Sequence, residues 1–223
     1  MVLDPMYFLI VGPAFLLAMI ASAWVKSSFS RGQSVETPMT GAEMARRILE
    51  SHGLFNVPVE EIPGQLSDHY DPSARVLRLS SAVYHGRNAS AVGVAAHEAG
   101  HALQHAQGYW PLVIRNLAVP MAGFGSNCGI LLFLAGLAFS FKPLILAGII
   151  LFSCVVFFQV VNLPVEINAS TRACREIAGA GIFTDEAERR VRKVLTAAAM
   201  TYVAATLQAI LTLLYLIVRS RND

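Results

Sequence analysis

Four runs of apolar residues dominate the pattern along the chain: Met6 to Val25, Leu117 to Phe141, Leu144 to Val161 and Ala197 to Val218. Each approaches or exceeds the roughly 20 residues a helix needs to cross about 30 Å of hydrocarbon, so four transmembrane helices are expected. The second and third runs are separated only around Lys142 and Pro143, where a charge and a helix breaker predict a tight turn and hence a helical hairpin. The remaining chain falls into two polar segments, 26–115 and 162–196. In the first, Lys26 to Pro38 reads as a polar connector. Thr40 with Glu43 reads as a capping box, the stripe Met44, Ile48 and Leu49 as one helix face, and Gly53 as a stop. Val57 to Leu66, with its prolines and glycine, reads as irregular chain or an edge strand. Asp68 to Pro72 has turn chemistry, and Arg75 to Leu79 is apolar and β-branched enough to return from it as a strand. One short β-hairpin is therefore expected, followed by an Ala-rich helix over Ala89 to Gln107. The fold class is mainly α: a single polytopic membrane domain over 1–223.

Composition supports the bilayer as solvent. The chain is 55% hydrophobic and 14% charged, with a mean hydropathy of +0.53, which excludes an ordinary soluble domain. The first run lacks a basic stretch before it, carrying only Asp4, so it is expected to be a retained anchor rather than a secretory signal. If all four runs cross, 14 of the 17 Lys and Arg residues lie on one side, among them Arg189, Arg190, Arg192 and Lys193. Excess Lys and Arg mark the cytoplasmic face. The net charge of +2 is accounted for by this topology and gives no reason to expect a nucleic-acid partner. Cys128, Cys154 and Cys174 show no C-x-x-C spacing and read as small packing residues.

The candidate chemistry lies in the Ala-rich helix, in the string His97-Glu98-Ala99-Gly100-His101. Residues four apart share a helix face about 6 Å apart along the axis, so two imidazoles can reach one zinc ion at about 2.0–2.1 Å. A glutamate one position round the helix lies beside such an ion rather than on it, which suits a general base. The small residues Ala95, Ala96, Ala99 and Gly100 permit a second backbone to pack close. A catalytic zinc takes a third protein ligand and keeps a position open. His105 continues the i, i+4 series, but it lies about 12 Å along the helix from His97 and is not expected to share the ion with it. Glu166 is the better candidate, because an acidic residue at the end of an apolar span is costly unless paired or functional. A hairpin that leaves near the motif and returns to it brings Glu166 within reach.

Three strings, Pro63-Gly64-Gln65-Leu66-Ser67-Asp68-His69-Tyr70-Asp71-Pro72, Ala95-Ala96-His97-Glu98-Ala99-Gly100-His101-Ala102-Leu103-Gln104 and Asn162-Leu163-Pro164-Val165-Glu166-Ile167-Asn168-Ala169-Ser170, resemble the YugP-like family of neutral zinc metallopeptidases of bacterial membranes. The resemblance covers essentially the whole chain. It implies a small zincin-like catalytic portion of gluzincin type at the inner membrane, with His97, His101 and Glu166 on zinc and Glu98 as base. The stretch after Glu166 is also similar to the glutamate-bearing helix of the membrane CAAX-prenyl and heat-shock proteases, except that their acidic residue four positions on is Ser170 here. Asp68 and Asp71 are then the nearest carboxylates that could orient a ligand histidine, against plain turn-forming roles.

The expected activity is hydrolysis of peptide bonds in membrane or membrane-proximal proteins on the cytoplasmic side. Arg172 is the first choice for an oxyanion donor, ahead of His69, Tyr70 and His85. The Arg75 to Leu79 strand offers an edge on which an extended substrate could add. The small soluble portion leaves room for a membrane partner protein or a second copy of the chain. The competing class is a membrane scaffold or regulatory subunit with a structural zinc site. Glu98 separates the two readings, because a purely structural site needs no carboxylate beside an open coordination position.

Overall fold

The computed structural model describes residues 4–221. The chain order is α1 (Pro5–Gln33), α2 (Gly41–Ser51), β1 (Val59–Ile62), β2 (His69–Asp71), β3 (Val76–Ser80), α3 (Ser81–Tyr84), α4 (Ala89–Ala106), α5 (Trp110–Ala138), α6 (Lys142–Ala180) and α7 (Asp185–Arg221). Four of these helices, α1, α5, α6 and α7, are long and apolar enough to cross a membrane. Only 17–33% of the residues in their most apolar windows are buried, so most of these residues keep some apolar surface outside the protein core, as a lipid solvent would allow.

Two compact units are distinguished, one formed by the described residues up to Ala21, Trp110–Val165 and the described residues from Met200, the other by Ser22–Tyr109 and Glu166–Ala199. The first has its core at Val11, Phe133, Ile145, Phe152, Tyr215 and Leu216. Small residues bring α5 and α6 together: a Cβ at Gly148 would stand 2.6 Å from the Phe133 nitrogen and 2.7 Å from the Gly129 oxygen, closer than atoms pack. Tyr215 donates its hydroxyl to Asp4 Oδ2 at 2.7 Å, with Arg219 Nε 4.0 Å from the same oxygen, so this carboxylate is partnered.

The second unit is built on α4, whose Ala-rich faces are almost wholly buried. Asn88 caps it by accepting from the Ala91 N–H. The core runs through Met44, Ile48 and Leu49 of α2, Leu77 and Leu79 of β3, and Ala95, Ala99 and Leu103 of α4. The capping box at Thr40 and Glu43 is formed in both directions, at 3.1 and 2.7 Å, and Gly53 takes φ +74° just beyond α2, both as its sequence predicts. The hairpin is present as β2 and β3, paired antiparallel with Tyr70 opposite Leu77. In addition β1 pairs parallel to β3, giving the order β1-β3-β2. Both edges of β3 are thereby occupied, so the edge expected on Arg75 to Leu79 is not open; the outer strand beside α4 is β2.

Helix ends depart from the hydrophobic pattern. Lys26 to Gln33 is helical, not a connector, since Lys26 to Arg31 contains no proline or glycine to break a helix, and Ser90 Oγ donates to the Phe29 carbonyl at 2.7 Å. The hairpin turn falls at Phe139 to Phe141, just before the expected Lys142 and Pro143, with Ser140 at φ +50°, and Lys142-Pro143 opens α6 because proline fits the first helical turn. The apolar run of α6 fades near Asn162, yet the helix continues through Pro164 to Ala180.

Candidate metal centre

Periodicity places His97 and His101 one turn apart on α4, their rings 4.8 Å between centroids and nearly perpendicular. Glu166 approaches them from α6. Its Oε2 lies 3.2 Å from His97 Nε2 and 3.6 Å from His101 Nε2, and the three donor atoms all fall within 4.8 Å of one another. Tetrahedral ligands about 2.05 Å from an ion stand roughly 3.3 Å apart, so two imidazole nitrogens and a carboxylate oxygen spaced this way fit zinc. The close approach rests on Gly100, where a Cβ would stand 2.9 Å from the Ala169 carbonyl oxygen of α6.

Each ring is held by its other nitrogen. His97 Nδ1 lies 3.2 Å from Ser170 Oγ, so the serine four residues beyond Glu166 makes the ring-orienting contact for which Asp68 and Asp71 were considered. His101 Nδ1 lies 3.0 Å from Oε1 of Gln104, which is fully buried. Both partners direct Nε2 toward Glu166. Asp68 accepts from the Ser80 N–H and hydroxyl at 2.8 and 3.0 Å. Asp71 caps its own turn at Ser73 and Ala74 and pairs with Arg78 at 2.9 Å. In these contacts both aspartates serve the hairpin rather than a histidine.

Glu98 stands beside the three-residue group, and the Tyr70 backbone N–H of β2 donates to its Oε2 at 3.1 Å. Burial pushes its carboxyl above the ordinary 4.5, with the His101 and His97 charges pulling the other way. The folded state thus binds the proton more tightly than the unfolded chain, and the stability this adds at low pH is lost as pH rises through the raised value. Metal-free Glu98→Gln is therefore expected to melt above the parent at pH 8, with the gap closing as pH falls below the ordinary glutamate range. Calorimetry across that range checks this, and a variant that melts lower at pH 8 contradicts it.

The other predicted residues lie elsewhere. His105 Nδ1 meets the Tyr70 hydroxyl at 2.8 Å, bracing β2 against α4. His69 Nδ1 is 2.7 Å from the Ser67 carbonyl, and His85 Nε2 is 3.1 Å from Glu61. Arg172 is engaged with its neighbours on two of its three nitrogens: its Nε donates to Asn168 Oδ1 at 2.7 Å and its Nη1 to Gln107 Oε1 at 2.6 Å. Gln104, Asn168 and the Tyr70 amide were not singled out from sequence. Helical spacing was the available signal, since Gln104 lies three residues after His101, and Asn168 four before Arg172.

Residues 7–221 match the family described as "Putative neutral zinc metallopeptidase", and the chain belongs to that family. A relative from Bacillus subtilis (strain 168), described as "Putative membrane protease YugP", is 52% identical over 192 residues, 85% of each chain. No solved structure matches the chain. The chain is accordingly a membrane protein of a zinc metallopeptidase family.

Proposed function

We propose that this chain is a zinc-dependent membrane endopeptidase of gluzincin type, with His97, His101 and Glu166 holding the ion and Glu98 as general base. The observation that carries the reading is the convergence of one Glu166 oxygen on both Nε2 atoms, with a further carboxylate, Glu98, at its side. A zinc ion in this donor set supplies a Lewis acid that activates water and polarises a carbonyl. Glu98 takes the proton from the attacking water and passes it to the leaving amine nitrogen. The Tyr70 N–H fixes one oxygen of that carboxylate, which leaves the other to receive the proton. A raised carboxyl pKa brings the base closer to the operating pH. Because Tyr70 turns this N–H to Glu98 rather than to β3, the outer edge of β2 runs beside the base, where an extended peptide could pair. The oxyanion role considered for Arg172 would fall to Nη2, since Nε and Nη1 are engaged.

The substrate class is membrane or membrane-proximal protein. The excess of Lys and Arg in segments 26–115 and 162–196 supports a cytoplasmic site at the inner membrane. Purified chain in detergent is expected to carry about one zinc per molecule and to cleave an unfolded protein such as casein. Chelation should abolish cleavage and added zinc restore it. Cleavage that survives complete zinc removal contradicts the proposal.

A further inference from the structure

A groove of about 480 Å³ is cut between α6 and α7, within the second unit, and its size is that of a small-molecule site. Helical spacing makes its two walls. On α6 the wall is a stripe from Ile167 to Ala178 with Cys174 and Arg175 along it, and on α7 Arg192 and Thr196 stand one turn apart on the facing side.

The charge of this groove is one-sided. Arg175 and Arg192 are exposed, and neither makes an ion pair or a hydrogen bond with any described residue. No Asp or Glu lines the groove. Other arginines of the same unit are paired: Arg78 with Asp71, Arg87 with Glu43 and Arg190 with Glu186. The Arg192 charge acts on the Cys174 thiol of the opposite wall, so α7 brings positive charge to α6. Thr196 leaves its hydroxyl without a partner among the described residues. Two guanidiniums and a hydroxyl, with no carboxylate beside them, form a donor set for an oxyanion, and the planar guanidinium fork matches the oxygens of a phosphate.

Position along the helices separates a lipid phosphate from a free one. Both helices are long and apolar enough to cross a membrane. Ala199, at one end of the groove, already belongs to the apolar run that opens at Ala197, and Arg192 lies five residues before that run. Five residues rise about 7.5 Å, roughly the thickness of one headgroup layer. Ile167, six residues beyond the apolar run of α6, adds an exposed apolar side chain to the wall. A soluble phosphate would use the charges and leave Ile167 and Ala199 in water, whereas a phospholipid uses both. Basic pockets between membrane-crossing helices take anionic headgroups for this reason.

We infer that the groove between α6 and α7 holds the phosphate of an anionic membrane lipid, with Arg175 and Arg192 on its oxygens and its glycerol and acyl chains at the apolar end. The inference stands on the membrane-crossing helices and is independent of the proposed metal ligands.

The test uses the full chain in dodecylmaltoside, titrated with phosphatidylglycerol or phosphatidylcholine and read by native mass spectrometry. An arginine beside an anionic lipid contributes about fivefold to binding, so the double variant Arg175→Gln/Arg192→Gln should bind phosphatidylglycerol about 25-fold more weakly than the parent. Arg189→Gln/Lys193→Gln removes the same charge from residues of α7 that do not line the groove, and should stay within about twofold because exposed charges are screened. Equal melting temperatures for the two double variants establish that both are folded. A second readout needs neither. In a Cys128→Ser/Cys154→Ser background Cys174 is the one thiol left; phosphatidylglycerol should slow its alkylation by iodoacetamide, while phosphatidylcholine and inorganic phosphate leave the rate unchanged.

Equal loss of binding in the two double variants would mark diffuse surface charge and overturn the inference. So would a Cys174 rate that phosphatidylglycerol does not change, or one that phosphatidylcholine slows as much. Protection by inorganic phosphate as strong as that by phosphatidylglycerol would make the ligand a soluble anion. Protection by polyglutamate with none by phosphatidylglycerol would assign the groove to an acidic protein segment, and either result overturns the lipid assignment.

Discussion

Glu98→Gln should bind zinc as the parent does and lose cleavage by about 10²–10⁴-fold, the contribution typical of a positioned general base. The substitution keeps the size of the side chain and an oxygen able to accept the Tyr70 N–H, which now stands 3.1 Å from Oε2. It removes only the capacity to take up a proton. The three proposed ligands lie on other residues, with Glu166 Oε2 3.2 and 3.6 Å from the two imidazoles, so metal content should not change. Zinc analysis and casein cleavage on one preparation are sufficient. Zinc lost together with activity would place Glu98 on the ion, and activity retained would remove it from the mechanism.

Glu166→Ala should abolish stable zinc binding, and cleavage with it. The carboxylate is the only proposed ligand that does not come from α4, and it is buried beside two imidazoles. Without it, two nitrogens of one helix face remain, short of the three protein ligands a catalytic zinc site uses. Elemental analysis after dialysis against buffer without metal is expected to give well under one zinc per chain. Glu166→Asp separates charge from reach: the shorter side chain keeps the charge and withdraws the oxygen by one methylene, so weak binding recoverable at high zinc is the expected result. If Glu166→Ala holds zinc like the parent, the third ligand has to be found elsewhere.

Much of this organisation was legible in the sequence because it depends on local rules. Four apolar runs became four long helices, Thr40 and Glu43 became a capping box, and the i, i+4 histidines came to share a face. Glu166 was legible through cost, as a carboxylate at the end of an apolar run. Other features depend on partners distant in sequence. Hydropathy marks where lipid-facing composition stops, not where hydrogen bonding stops, so the continuation of α1 to Gln33 and of α6 to Ala180 was hidden. The parallel pairing of β1 with β3 joins residues near 60 to residues near 78 and has no local signature. Ser170, Gln104 and Asn168 look like ordinary polar helix residues until α4 and α6 are brought side by side. Arg172 was legible as a charged residue near Glu166, but six positions along a helix turn it through about 240° relative to that carboxylate, onto the Asn168 side.

The contact between Gly100 and the Ala169 carbonyl bears on how portable the metal-binding string is. In H-E-x-x-H the two intervening letters are nominally free, since neither touches the ion. Here the second of them cannot carry even a methyl group without displacing the backbone that delivers Glu166. A designer who grafts His97 to His101 onto another helix would carry over two of the proposed ligands and the proposed base, and would obtain Glu166 only by also copying the neighbouring helix at its interaxial spacing. The unit of inheritance at this site is therefore a pair of crossing helices rather than a five-letter word, and sequence libraries that vary position 100 should return glycine as the residue that supports zinc.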